Sequence, residues 1–197
     1  MEEISAFDIL IENLEDLGFE PQSNKSNRTF IIPGNERFLN SKYVLCTIAD
    51  SIYFFASDSF GTVAHSSSTF AGLYSSIKLP FMAEYKVFKK DWVDFIYRKR
   101  KKTGIRYIDN SLTILSSDWL PVKELSKENV DLFLGINEMG KPYSLIVADD
   151  YLPRLDSLKG EKVIGIETPN WIYRKDDLKT LISMGKTLIT NIKMLAD

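Results

Sequence analysis

The chain has 197 residues, of which 44% are hydrophobic and 26% charged, and its formal net charge is −2. This composition is typical of a globular domain with a core of ordinary size, and it excludes an intrinsically disordered segment. The apolar runs are short, as at Ile52–Phe55, whereas a membrane-spanning helix needs about 20 apolar residues. The sequence therefore excludes that class as well.

The single cysteine and the first ten residues bear on where the protein acts. Cys46 lies in an apolar run, so no disulfide can form within the chain, and we expect a small buried side chain rather than a reactive thiol. The N-terminal residues MEEISAFDIL are acidic where a signal peptide is basic and then apolar. We therefore expect no targeting segment and a cytoplasmic location.

The first 40 residues predict one helix followed by a loop. Ser5 can cap the helix, Asp8 completes a box-like pair with it, and Gly18 ends it. Residues 20–29 are polar and have no hydrophobic period, so they predict a loop. The sequence leaves open whether residues 1–40 share the main core.

The middle of the chain predicts β-strands. Asp50 and Ser51 form a tight turn between two of them. The strands are expected at 29–32, 42–49, 52–57, 73–81, 105–108 and 112–116.

The last third predicts helices alternating with buried strands. Ser126 caps one helix, and strands are expected at 143–148 and 162–167. An apolar stripe from about residue 176 to 195 predicts a long helix, in which Gly185 marks a close approach to a strand. Together these elements predict one α+β domain over residues 1–197. It has a mostly antiparallel sheet, an N-terminal helix and a long C-terminal helix packed on one face.

The strongest deviation from average composition is a basic segment, Lys86–Arg106. It holds nine Lys and Arg against two Asp, a local net charge of +7, while the other 176 residues hold 16 basic and 25 acidic side chains. Such an asymmetry concerns partners rather than fold. The partner-binding residues that it predicts are Lys89, Lys90, Arg98, Lys99, Arg100, Lys101, Lys102 and Arg106.

Part of this charge has a local explanation. Phe88, Trp92, Phe95 and Ile96 have the spacing of a short amphipathic helix, and cations at its C-terminal end suit the helix dipole. Five consecutive cations exceed that need, because the dipole effect fades within one turn. A solvated basic turn, balanced by the protein's own acidic surface, is the alternative to a binding surface.

The basic segment favours a non-enzymatic intracellular protein that binds an acidic protein surface or a phosphate-bearing ligand. Trp92, Tyr97 or Tyr107 can offer stacking faces for nucleic acid, and the same cations can meet anionic lipid. A pI of about 5.6 weakens the nucleic-acid hypothesis, since domains of that kind usually have a pI above about 9.

Residues from about 78 to the end carry a loose pattern. It comprises a basic turn, a Thr-Gly-x-x-x-Ile-Asp run, a strand ending in Ser-x-Asp, and then helix, strand, strand and helix. The residues that carry it are Thr103, Gly104, Ile108, Asp109, Leu112, Ile114, Ser117 and Asp118. In this pattern the chain resembles a domain of uncharacterised bacterial proteins. The resemblance implies a single α+β domain and implies no activity.

Catalytic and metal chemistry have weak candidates. His65, the only histidine, lies near Asp58 and Ser66–Ser68, but the Gly-x-Ser-x-Gly setting of a nucleophile is absent. A metal site could use the adjacent Asp149 and Asp150 as ligands, together with Asp156 and Glu167. No phosphate-binding glycine loop is present, so we expect no cofactor and name no catalytic, cofactor-binding or metal-binding residue. A hydrolase or metal-dependent enzyme is the alternative function.

Overall fold

A computed structural model describes residues 5–32, 35–61, 68–80, 82–92, 100–116, 118–152 and 155–196. Within these ranges the chain forms an N-terminal helix, a nine-stranded sheet and a long C-terminal helix. The elements are α1 (Ala6–Asp16), β1 (Gln22–Ile32), β2 (Asn35–Ala49), β3 (Ile52–Gly61), β4 (Ser68–Ser76), β5 (Tyr85–Lys89), β6 (Arg100–Lys101), α2 (Arg106–Ser111), β7 (Leu112–Ser116), α3 (Lys127–Asn137), β8 (Ser144–Asp149), β9 (Lys162–Thr168), α4 (Lys175–Thr180), a π-helical turn (Leu181–Gly185) and α5 (Lys186–Ala196).

The sheet has the strand order β1-β2-β3-β4-β9-β8-β5-β7-β6. Every pair of neighbouring strands is antiparallel. The first four strands form a meander, whereas β9 and β8 come from the end of the chain and insert between β4 and β5. The predicted α+β class with a mostly antiparallel sheet is confirmed.

The two faces of the sheet differ in what covers them. On the face that we call the helix face, residues such as Phe54, Leu73 and Ile166 form a continuous core with the helices. On the opposite face, the open face, a smaller apolar cluster includes Phe55 and Tyr74. This alternation follows from the period of two in a strand. Three leucines of the connection between β8 and β9 cover part of the open face, and they are Leu152, Leu155 and Leu158. We call that connection, residues 150–152 and 155–161, the strap.

Several predicted helix signals are confirmed. The Ser5 hydroxyl accepts a hydrogen bond from the Asp8 amide at 3.3 Å, and Ser126 caps α3 in the same way through Asn129, also at 3.3 Å. Gly18 ends the first helix with a φ of +86°, a conformation that favours glycine. Helix α1 also contributes three buried side chains to the main core, and they are Phe7, Leu10 and Leu14.

The C-terminal helix spans α4, the π-helical turn and α5, close to the predicted 176–195. Its Gly185 is buried, and a Cβ atom added there would lie 2.8 Å from Cδ1 of Leu73 in β4. The predicted close approach of a strand at this glycine is therefore confirmed.

The loop predicted at residues 20–29 is wrong, because β1 begins at Gln22. This strand pairs with β2 in unbroken register from Gln22 opposite Leu45 to Ile32 opposite Asn35. It lies at the end of the sheet order, so its residues need no apolar period in order to pair. Backbone hydrogen bonds form the strand where the side-chain pattern gives no signal.

Three other expectations in the middle of the chain are also wrong. The strand predicted at 105–108 is instead the start of helix α2, and the strand predicted at 73–81 ends at Ser76. Phe88, placed at the start of an amphipathic helix, lies in β5 between β7 and β8. The rest of that predicted helix, from residue 93 onward, lies outside the described residues.

Candidate functional site

The basic segment lies at one edge of the sheet, on β5 and β6 and the residues around them. Of its eight predicted partner-binding residues, Arg98 and Lys99 lie outside the described residues. Arg100 is partly buried, and the other five are exposed. Those five are Lys89, Lys90, Lys101, Lys102 and Arg106.

Successive cations at this edge point to different faces of the sheet. Arg100 is the register partner of Leu115, and Lys101 is the register partner of Ile114, which is buried in the main core. Since directly opposed residues share a face, Arg100 lies on the open face and Lys101 on the helix face. The cations therefore wrap around an edge rather than lining one plane.

A carboxylate organises the turn that carries the cluster. Asp109 accepts hydrogen bonds from the Thr103 amide at 2.9 Å, the Thr103 hydroxyl at 2.8 Å and the Gly104 amide at 3.0 Å. Partial burial acts to raise the pKa of Asp109, but these hydrogen bonds and the nearby charge of Lys102 outweigh it and lower the pKa below 3.8. Lys90 joins the same turn by donating to the Asp109 carbonyl at 2.7 Å.

An exposed aromatic side chain lies within the basic segment. Trp92 is 83% exposed, the highest value among the exposed large hydrophobic side chains of the described residues. It follows Lys89 and Lys90 directly after β5. Arg100 and the five exposed cations form no ion pair with a carboxylate of the described residues. This edge therefore combines positive charge with an uncovered indole.

A second cluster surrounds a buried carboxylate on the open face. Glu167 in β9 is 6% exposed. Its Oε1 accepts from Lys86 Nζ at 3.2 Å, and its Oε2 accepts from the Tyr74 hydroxyl at 3.1 Å. The Tyr151 hydroxyl of the strap lies 2.9 Å from Oε1 and 2.8 Å from Oε2. Burial and the adjacent carboxylate raise the pKa of both tyrosines above the ordinary value of 10.

Two glycines make room for this cluster. A Cβ atom on Gly165 would lie 2.5 Å from Cδ1 of Tyr74, so only glycine lets that ring lie across β9. A Cβ atom on Gly72 would lie 2.9 Å from Cα of Glu167. The close approach of β4 and β9 at this point therefore depends on both residues.

The cluster opens into a pocket of about 330 Å³ between β4, β9, β8 and β5. The lining that bears on its chemistry comprises Phe70, Lys86, Phe88, Ser144, Tyr151 and Glu167. On the other side of Phe70, a groove of about 710 Å³ runs over β1, β2 and β3. Leu155 of the strap lines that groove, whereas Tyr151 lines the pocket.

The candidate catalytic and metal-binding residues do not assemble into a site within the described part of the chain. His65, Ser66 and Ser67 lie outside it. Among the described residues, no group of three or more His, Cys, Asp or Glu side chains is suited to hold a metal ion. Asp149 pairs instead with Lys162 at 2.8 Å, and Glu167 pairs with Lys86.

Cys46 is 1% exposed, and burial raises the pKa of its thiol to about 11. The predicted small buried side chain is confirmed. None of the helices formed by the described residues is both long and apolar enough to cross a membrane.

Comparison with family models, with curated proteins and with solved structures finds no match to this chain.

Proposed function

We propose that this protein is a non-enzymatic binding protein of the cytoplasm and that the basic segment binds a phosphate-bearing partner. The observation that carries the proposal is Trp92, 83% exposed among the cations of the sheet edge. Its uncovered indole costs hydrophobic free energy in the isolated protein, and contact with a partner would recover that cost.

The partner's chemistry follows from the charges. Lys and Arg bind phosphate through charge-assisted hydrogen bonds, and an indole adds a stacking face or a membrane-interface anchor. Because Arg100 and Lys101 lie on opposite faces, the cations suit a partner that wraps around the sheet edge. A flexible phosphate-bearing chain fits that geometry better than a flat surface does.

The first experiment measures binding by fluorescence anisotropy in about 50 mM and about 200 mM salt. Its probes are a single-stranded RNA 20-mer, a phosphorylated acidic peptide and vesicles that contain phosphatidylserine. With about five phosphate contacts to a single strand, the affinity should fall about 100-fold over this range.

The second experiment neutralises the five consecutive cations by substitution with Gln. They are Arg98, Lys99, Arg100, Lys101 and Lys102. Its matched control replaces five exposed lysines elsewhere by Gln, and they are Lys78, Lys123, Lys159, Lys179 and Lys186. The first variant should lose binding to every probe that the wild-type protein binds, whereas the control should keep most of it. Equal losses in both variants would show general attraction of charge and would overturn the proposal, as would unchanged binding in the first variant.

A further inference from the structure

The open face has a second set of features, centred on Glu167 and on Lys86 at the start of the basic segment, that the eight predicted partner-binding cations do not explain. The pocket at Glu167 and the groove over β1–β3 meet at the β3–β4 pair, where Ser59 of the groove is the register partner of Ser68 of the pocket. Among the described residues, the strap packs on the neighbouring part of this face through Leu152, Leu155 and Leu158. A chain-like ligand can therefore lie across the strands beside the strap.

The charges of the pocket balance. Among the described residues, the charged side chains that line it are Lys86 and Glu167, which form an ion pair at 3.2 Å. The Lys86 side chain is 41% exposed, and an ammonium group has three N–H donors, of which Glu167 takes one. The adjacent carboxylate repels an anion but not a neutral oxygen. The pocket therefore favours an uncharged ligand with hydroxyl groups.

The groove continues this chemistry, because each of its two lysines is paired with a carboxylate: Lys25 with Asp8 at 3.1 Å and Lys42 with Asp58 at 3.4 Å. Ser26, Ser41, Ser59 and Ser68 are successive register partners across β1, β2, β3 and β4. By the pairing rule they share one face and form a row of hydroxyls that runs perpendicular to the strands. Such a row offers both donors and acceptors and carries no charge.

Aromatic rings complete the site. Phe70 and Phe88 line the pocket, and Phe70 packs on Phe55 with ring centroids 5.7 Å apart. Tyr43, 38% exposed, extends this row into the groove, 5.9 Å from Phe55. The apolar C–H face of a sugar ring packs against aromatic side chains, while its hydroxyls bind polar groups at the edges.

We propose that the open face binds an uncharged oligosaccharide laid across the strands, with one sugar ring in the pocket at Glu167. Lys86 donates hydrogen bonds to that ring, and Phe70 and Phe88 contact its apolar face. The serine row binds the hydroxyls of the following units.

The test uses the full chain labelled with ¹⁵N and four neutral hexasaccharides at millimolar concentration, namely cellohexaose, maltohexaose, mannohexaose and chitohexaose. At least one should shift the amide resonances of β4, β5, β8 and β9. The anionic hexagalacturonate should bind more weakly than that sugar. If none of the four shifts these resonances, or if hexagalacturonate binds more tightly, the proposal is overturned.

Two variants locate the site. Phe88→Leu keeps an apolar side chain in β5 and should raise the Kd about tenfold, while the half-buried pair Ser41→Ala and Ser59→Ala should raise it several-fold without loss of fold. Lys101→Gln with Lys102→Gln should leave the Kd for the sugar unchanged while weakening phosphate binding. Unchanged affinity in both open-face variants would place any sugar binding elsewhere and overturn the assignment. The proposed function stands or falls separately, on the phosphate probes.

Discussion

Gly165 in β9 and Tyr74 in β4 are register partners, and the tyrosine ring occupies the space where a Cβ of residue 165 would lie. The distance from that Cβ position to Cδ1 of Tyr74 is 2.5 Å, and Cε1 is 2.8 Å away. The ring is fully buried, and its hydroxyl donates a hydrogen bond to Glu167 Oε2 at 3.1 Å. Because Gly165 has no side chain, the Tyr74 ring can cross β9 and place its hydroxyl beside Glu167.

Gly165→Ala should lower the free energy of unfolding by about 1–3 kcal/mol, because the buried ring cannot move aside without repacking. Urea denaturation measures this loss. In a Tyr74→Ala background the obstacle is gone, so the same substitution should cost little. The resulting coupling free energy in a double-mutant cycle should exceed about 0.5 kcal/mol.

Gly135→Ala in α3 is the matched control. The Cβ would meet Cε of Met184 at 2.5 Å, which is the end of a flexible side chain that can rotate away. Alanine also has the higher helix propensity, by about 1 kcal/mol. This variant should be neutral or more stable than the wild type. A loss as large as that of Gly165→Ala would contradict the assigned role of the Tyr74 ring.

The parts of the fold that the sequence predicts correctly carry an apolar period or a cap. The C-terminal helix, with Gly185 against β4, and the Ser126 cap belong to this group. The failures lie where the backbone pairs without such a pattern. Residues 22–29 of β1 are polar. Helix α2 begins after a turn that is held by the side chain of Asp109, the fourth residue of that helix.

The Glu167 cluster shows why a site of this kind is difficult to read from sequence. The sequence offers Glu167 as a candidate metal ligand, as an acid that can join Asp149 and Asp150. Its partners Tyr74, Lys86 and Tyr151 come from β4, β5 and the strap, which meet only through the strand order. These four residues have no characteristic spacing in the sequence. They come together because β9 and β8 insert between β4 and β5.

The buried tyrosines predict a loss of stability at high pH. Burial raises the pKa of Tyr74, Tyr85 and Tyr143 above 10. The folded state therefore keeps protons that the unfolded state releases above pH 10. Each such tyrosine should lower the free energy of unfolding by about 1.4 kcal/mol per pH unit, from pH 10 up to its own folded pKa. Urea midpoints from pH 9 to 12 measure the combined slope.

Tyr74→Phe should make that slope shallower by about 1.4 kcal/mol per pH unit, since one raised pKa is removed. The control is Tyr173→Phe, which changes a side chain that is 43% exposed and should leave the slope as in the wild type. Absorbance at about 295 nm reports phenolate formation independently of unfolding. If all tyrosines titrated near pH 10 in the folded protein, the assigned burial of Tyr74 would be incorrect.

Asp109 predicts the opposite dependence at low pH. Its lowered pKa means that the folded state releases the proton more readily than the unfolded state, whose pKa is 3.8. Its stabilising contribution is therefore complete above pH 3.8 and is lost as the pH falls through the lower folded value. Asp109→Asn should cost about 1–3 kcal/mol at neutral pH, because charge-assisted hydrogen bonds to Thr103 and Gly104 are weakened.

Urea denaturation from pH 7 down to about pH 3 measures the difference between the wild type and Asp109→Asn, which should shrink as the carboxyl takes up its proton. Asp118→Asn changes an exposed acid beyond β7 and should stay within about 0.5 kcal/mol of the wild type throughout. Because this turn carries Lys102 and follows β6, Asp109→Asn should also weaken phosphate binding without removing any cation. A constant stability difference across this pH range would show that the carboxylate charge does not hold the turn.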